Sequence, residues 1–134
     1  MRIPGIALLL AVAGCASLTG SGDDLRIIPE DAVFSPNEQV TARFINDSRE
    51  RVGYGACSLF LEVRVGGDWE PAAEPPRACI GILYVLEPGE SEQVALPPRM
   101  TPLPEGRYRL RQEFMPGAVL PSASIWSEAF EVRD

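Results

Sequence analysis

Between residues 57 and 65 the chain alternates without interruption: Cys57, Leu59, Leu61, Val63 and Val65 take one parity, and Ser58, Phe60, Glu62 and Arg64 the other. A period of two puts the first set on one side of an extended strand, and an apolar side of that length must be covered by another layer. Gly66-Gly67-Asp68 follows directly, a turn signal that folds the strand back toward Trp69 as a hairpin. Thirteen prolines and twelve glycines in 134 residues break the rest into short pieces and leave no stretch with a useful helical period. The chain is therefore expected to be all-β.

Other runs extend the pattern. Residues 25–28 suggest an edge strand, and residues 39–46 a strand with Val40, Ala42 and Phe44 on one side. The alternating run itself begins near Val52, where the glycines of Gly53-Tyr54-Gly55 permit a bulge before Cys57. Residues 80–86 and 91–96 read as two more strands, the second with Val94 and Leu96 inward, joined by the turn Glu87-Pro88-Gly89-Glu90. Tyr108, Leu110, Gln112 and Phe114 then alternate with Arg107, Arg109, Arg111 and Glu113, and a last strand spans residues 126–132. Seven or eight short antiparallel strands over about 110 residues is a β-sandwich count.

The stretch LPEGRYRL, residues 103–110, carries the spacing Leu-x-x-Gly-x-Tyr. This resembles the tyrosine corner of immunoglobulin-like sandwiches, and the resemblance makes Tyr108 a structural corner whose phenol bonds back to the preceding backbone. Together with NDS at residues 46–48, GGDW at 66–69 and LEPGES at 86–91, it makes residues 37–134 similar to small bacterial Ig-like domains of exported proteins and lipoproteins. The resemblance implies a two-layer antiparallel sandwich over residues 25–134 that works by binding or scaffolding. Intracellular proteinase inhibitors of bacilli have a related sandwich, so protease inhibition through a stiff loop is the alternative. Antibody-type domains carry cysteines on two other strands, and that pattern is missing.

Before the sandwich comes LLLAVAGCAS, residues 8–17, behind Met1-Arg2 and an uncharged apolar run. That run is long enough for the core of a secretory signal and far short of the roughly 20 residues of a spanning helix. Val12-Ala13-Gly14-Cys15 resembles the lipobox of bacterial lipoproteins. The resemblance implies a signal peptide over residues 1–14, acylation of Cys15 and a lipidated tether over residues 15–24. It places the protein on the membrane of the bacterial cell envelope. Ala16, in place of Asp, favours the outer membrane, facing the periplasm or the surface. Two or more acyl chains anchor stably where one does not. The Gly- and Ser-rich tether reaches on the order of 15–18 Å.

With Cys15 assigned to lipid, Cys57 and Cys79 form an even pair in an oxidising compartment. A disulfide between them would be worth roughly 3 kcal/mol in the chain-entropy model. Two thiols and half a metal site are the competing readings, the latter poor because the chain has no His and too few cysteines for a zinc tetrahedron.

Formal charge is −7, which argues against a nucleic-acid partner and against electrostatic docking on anionic lipid. With neither His nor Lys, the usual bases for a serine or cysteine nucleophile are missing. No Asp-rich calcium loop is present, and Glu90, Glu92, Glu128, Glu131 and Asp134 read as solvated surface. No enzyme activity, cofactor or metal is expected. The candidate binding face is the outward side of three adjacent strands. It carries Phe60, Glu62 and Arg64, then Arg107, Arg109 and Arg111, then Glu131 and Arg133. Arginines in line suit an acidic polymer or an acidic envelope protein, or else a ladder that Glu62 and Glu131 neutralise. The proline-rich stretch at residues 73–78 is the inhibitor-like candidate.

Overall fold

The structure, a computed structural model, describes residues 24–72, 81–97 and 100–134. Ten strands are found among them: β1 (Leu25–Pro29), β2 (Val33–Phe34), β3 (Thr41–Asn46), β4 (Val52–Val65), β5 (Asp68–Pro71), β6 (Leu83–Leu86), β7 (Ser91–Ala95), β8 (Gly106–Pro116), β9 (Ala123–Trp126) and β10 (Phe130–Val132). They form two sheets. The smaller has the order β1-β3-β7; the larger runs β2-β10-β8-β4-β5, with β6 also on β4 and β9 also on β8. Every pairing is antiparallel except β2 with β10, which is parallel.

The count exceeds the seven or eight expected because a short strand appears where none was expected and the last run is broken and shifted. The first strand is followed by a short second one: β1 pairs with β3 in the small sheet, and β2 lies beside β10 in the large one. The run expected at residues 126–132 contains β10 and only the last residue of β9, which begins at Ala123; both strands pair with β8. Trp126 lies opposite Arg111 and Phe130 opposite Tyr108, so four steps on one side meet three on the other. That extra residue is a bulge. Ser127 fills the break: its N–H donates to Leu110 O at 2.8 Å, and its hydroxyl accepts from Leu110 N–H at 2.8 Å.

A second irregularity divides β4. Tyr54 pairs with Phe114 and Leu59 with Gln112, so five steps on β4 meet two on β8. The expected bulge is thus present, and it reverses parity: Val52 and Tyr54 point inward before it, Leu59 and Leu61 after it. The Gln112 amide fills the gap, donating to Gly55 O at 3.2 Å and to Ser58 Oγ. Past the bulge the inward series runs as expected until Val65, which is half exposed at the hairpin end. Gly66 and Gly67 have φ of 58° and 93°, the left-handed pair a tight two-residue hairpin requires.

Phe34, Val40, Ala42, Phe44, Leu61, Leu110, Phe114, Phe130 and Val132 are each about 1–2% exposed and fill the space between the sheets. Tyr108 is buried and donates its hydroxyl to Pro104 O at 2.6 Å, the expected corner. Burial also raises its phenol pKa above 10.0. β6 is shorter than the run expected at residues 80–86, and Leu83, Tyr84 and Val85 remain exposed.

Candidate functional site

β4 and β8 are the long central strands of the large sheet, and their register assembles the candidate face. Phe60 lies opposite Arg111 and Glu62 opposite Arg109. On the flanks Arg107 faces Glu131 of β10, and Arg64 faces Trp69 of β5. Because Leu61 and Leu110 point into the core, their neighbours on both strands must point out. The structure therefore brings together Phe60, Glu62, Arg64, Arg107, Arg109 and Arg111 on one outer surface.

Glu62 is the hub. Its Oε1 accepts from Arg109 Nε at 2.6 Å, and its Oε2 lies 3.6 Å from Arg111 Nε. The side chains are 16% exposed for Glu62 and 25% for each arginine, so solvent screens these pairs only in part. Arg111 also reaches Glu113 at 3.4 Å, and its guanidinium sits 4.3 Å from the Phe60 ring centroid. Phe60 is thus half covered by Arg111, and an open aromatic anchor it is not. Glu131 is shared between Arg107 at 3.9 Å and Arg133 at 3.7 Å.

Two tryptophans complete the surface, and sequence reasoning left both out. Arg109 lies 4.5 Å from the Trp69 ring centroid and 5.5 Å from that of Trp126; Arg64 lies 5.8 Å from Trp69. Each such contact is worth about 0.5–1 kcal/mol at an exposed site, comparable to an exposed ion pair. Arg109 is therefore held by a carboxylate and by two aromatic rings. Trp69 could have been placed by counting back across the Gly66-Gly67 turn to Arg64. Trp126 could not, because reading residues 126–132 as one strand gives it the inward parity of Phe130; the bulge at Ser127 turns it out.

The cross-strand ladder is real, yet it does not cancel the charge. Arg107, Arg109, Arg111 and Arg133 pair with Glu62, Glu113 and Glu131, and Arg64 stands beside them over Trp69, so five cations share the face with three paired anions. Arg64 has no carboxylate partner among the described residues. On a chain of net charge −7, this is a cationic surface with an aromatic frame.

The remaining expected positions are dispersed or lie outside the described residues. Cys57 sits half buried in the β4 bulge, and its expected partner Cys79 lies outside the described residues, as do Cys15 and the stretch at residues 73–78. Glu90, Glu92, Glu128 and Asp134 are exposed, and Glu131 is half exposed. Among the described residues no group of three or more His, Cys, Asp or Glu is arranged to hold a metal ion.

No curated protein matches the chain. A family model described as bacterial Ig-like domain matches residues 25–131, the span from β1 into β10 that holds both sheets and the arginine face, and the chain belongs to that family.

Proposed function

We propose that this protein is a lipid-anchored component of the bacterial cell envelope. In this reading its Ig-like domain binds an acidic partner, without catalysis, through the outer face of the large sheet. Membership of the family supports a binding or scaffold role. The observation that carries the choice of face is Arg109: fixed by Glu62 at 2.6 Å and framed by Trp69 and Trp126, it is already ordered before any partner arrives. Such preorganisation lowers the entropy lost when a carboxylate or sulfate docks. Arg64 and Arg107 extend the cationic surface to either side.

The anchor rests on the run ahead of Cys15 and on the small residues preceding it. Acylation there, with a bridge between Cys57 and Cys79, accounts for all three cysteines. The outer membrane, facing the periplasm or the surface, is the proposed location.

Binding is tested by passing the full chain in detergent over immobilised polygalacturonate and dextran sulfate at low salt. Retention that falls steeply with salt and is lost in Arg64→Glu/Arg109→Glu, but kept in Arg26→Glu on the other sheet, is the expected result. No retention on either polymer would reject the acidic-partner reading. Palmitate labelling that disappears in Cys15→Ser tests the anchor separately, and an unlabelled wild-type chain would refute it.

A further inference from the structure

In the small sheet β7 has β3 on one side and, among the described residues, no strand on the other. Asn46 N–H donates to Glu90 O and Leu96 N–H to Val40 O, each at 3.0 Å, and between them Ala42 pairs with Val94 and Phe44 with Glu92. The even-numbered residues of β7 therefore bond to β3. Ser91, Gln93 and Ala95 turn their N–H and C=O groups the other way. Those groups form an exposed row available to another strand.

The opposite sheet does not cover this edge. β6 pairs with β4, so the flank of the sandwich between β6 and β7 stays open and holds a cavity of about 420 Å³. Phe44, Tyr54, Leu86 and Gln112 are the buried part of its described lining, and Val94 and Leu59 are half buried. Exposed Tyr84 and Val85 border it on the β6 side. On the β7 side Glu90 and Glu92 share the parity of Val94 and line the same space. Among the described residues no arginine lines it. The Tyr54 phenol is pushed above 10.0, first by burial and then by Glu92, Tyr84 and Glu90, so the field of both carboxylates reaches the cavity.

We propose that β7 is a docking edge for an extended basic segment of a partner protein. The segment adds antiparallel to β7 and bonds to the outward groups of Ser91, Gln93 and Ala95. It lowers an apolar side chain into the cavity beside Val94 and sets Arg or Lys opposite Glu92, one step along the same side from Glu90. Opposite charges directly across a strand pair are favourable, and like charges are not. The same rule disfavours a second copy of this acidic chain, which would bring the carboxylates of one edge against those of the other. Glu92 thus shields the edge from self-pairing and selects a cationic partner.

The test uses the full chain in detergent micelles, with a blocked peptide repeating Thr-Val-Thr-Arg and a control carrying Glu in place of Arg. Amide exchange by NMR should slow at Ser91, Gln93 and Ala95 with the Arg peptide only. Glu92→Lys should weaken binding roughly five- to tenfold. Gln93→Pro removes one outward N–H while sparing the bonds to β3, and should abolish binding with circular dichroism unchanged. Arg109→Glu, on the other sheet, should leave the affinity as it was, so this proposal and the arginine-face reading fail independently. Equal binding of the Glu peptide, absent protection along β7, or an affinity indifferent to Glu92→Lys would overturn the proposal. Sedimentation as a dimer through this edge would overturn it too, assigning β7 to a second copy.

Discussion

Asn46 has no exposed surface, and its amide is used in full. Nδ2 donates to Glu50 O at 2.9 Å and Leu86 O at 3.0 Å, while Oδ1 accepts from Ser48 N–H at 3.0 Å and Ser48 Oγ at 2.6 Å. One side chain thus closes the turn after β3 and fastens it to the end of β6. Asn46→Ala removes the amide donor to Leu86 O and Glu50 O and loosens the turn, and urea titration should show a loss of about 1–2 kcal/mol. Tyr108→Phe removes only the bond to Pro104 O and keeps the ring, so about 1 kcal/mol is expected. The phenols also set an alkaline limit. Burial raises both Tyr54 and Tyr108 above 10.0, so the folded state holds their protons more tightly than the unfolded state. The slope of stability with pH is then negative once unfolded tyrosine starts to ionise. Stability should be intact below about pH 10 and fall as pH rises toward the folded values, with a shallower fall in Tyr108→Phe. A urea midpoint unchanged through this range would contradict the assignment.

β4 and β8 show what one strand's sequence can and cannot disclose. The ends of β4 at Val52 and Val65, the alternation of β8 and the shared outer face of Glu62 and Arg109 follow from parity, because residues 59–63 and 108–112 pair without a slip; which arginine Glu62 meets is set by the register. Parity fails where a bulge resets it. Gln112 is polar yet 1% exposed, and its fit is visible only once Gly55 O and Ser58 Oγ are seen to need a donor. Ser127 and the outward turn of Trp126 are the same kind of case. The cavity beside β7 was hidden for a different reason: it exists because β6 chose β4 over β7, a competition between distant strands that no local pattern records. Gln112→Leu tests the bulge. The change keeps an inward side chain of similar length but leaves Gly55 O without the amide donor, so a loss of about 1–3 kcal/mol is expected. Hydrogen exchange should quicken at residues 53–59 and not at residues 60–63. Uniform acceleration along β4 would mean that the amide serves the whole strand.

Two aromatic groups occupy the interior at its two ends, and β8 runs between them. Phe44 of the small sheet meets Tyr54 and Phe114 of the large one edge-on, at 5.1 and 5.2 Å between ring centroids. At the other end Phe34 and Tyr108 pack on Phe130 within the large sheet, at 5.4 and 6.0 Å. Leu61 and Leu110 fill the space along β4 and β8 between the groups. If the interior is one cooperative unit, weakening either end must weaken the whole. If it is not, the three-stranded sheet can detach first, because Phe44 is the only aromatic ring it contributes to these contacts. Phe44→Leu and Phe130→Leu separate these cases, each removing part of one ring for about 1–2 kcal/mol. Trp69 and Trp126 both belong to the large sheet, so their fluorescence is blind to early loss of the small one, whereas far-ultraviolet circular dichroism reports both. Both variants should shift the urea midpoint downward with unchanged slope, and the two signals should remain superimposed. A circular dichroism transition that precedes fluorescence in Phe44→Leu, and not in Phe130→Leu, would show that the sheets unfold separately. The groove beside β7 would then lie on the less stable of the two layers.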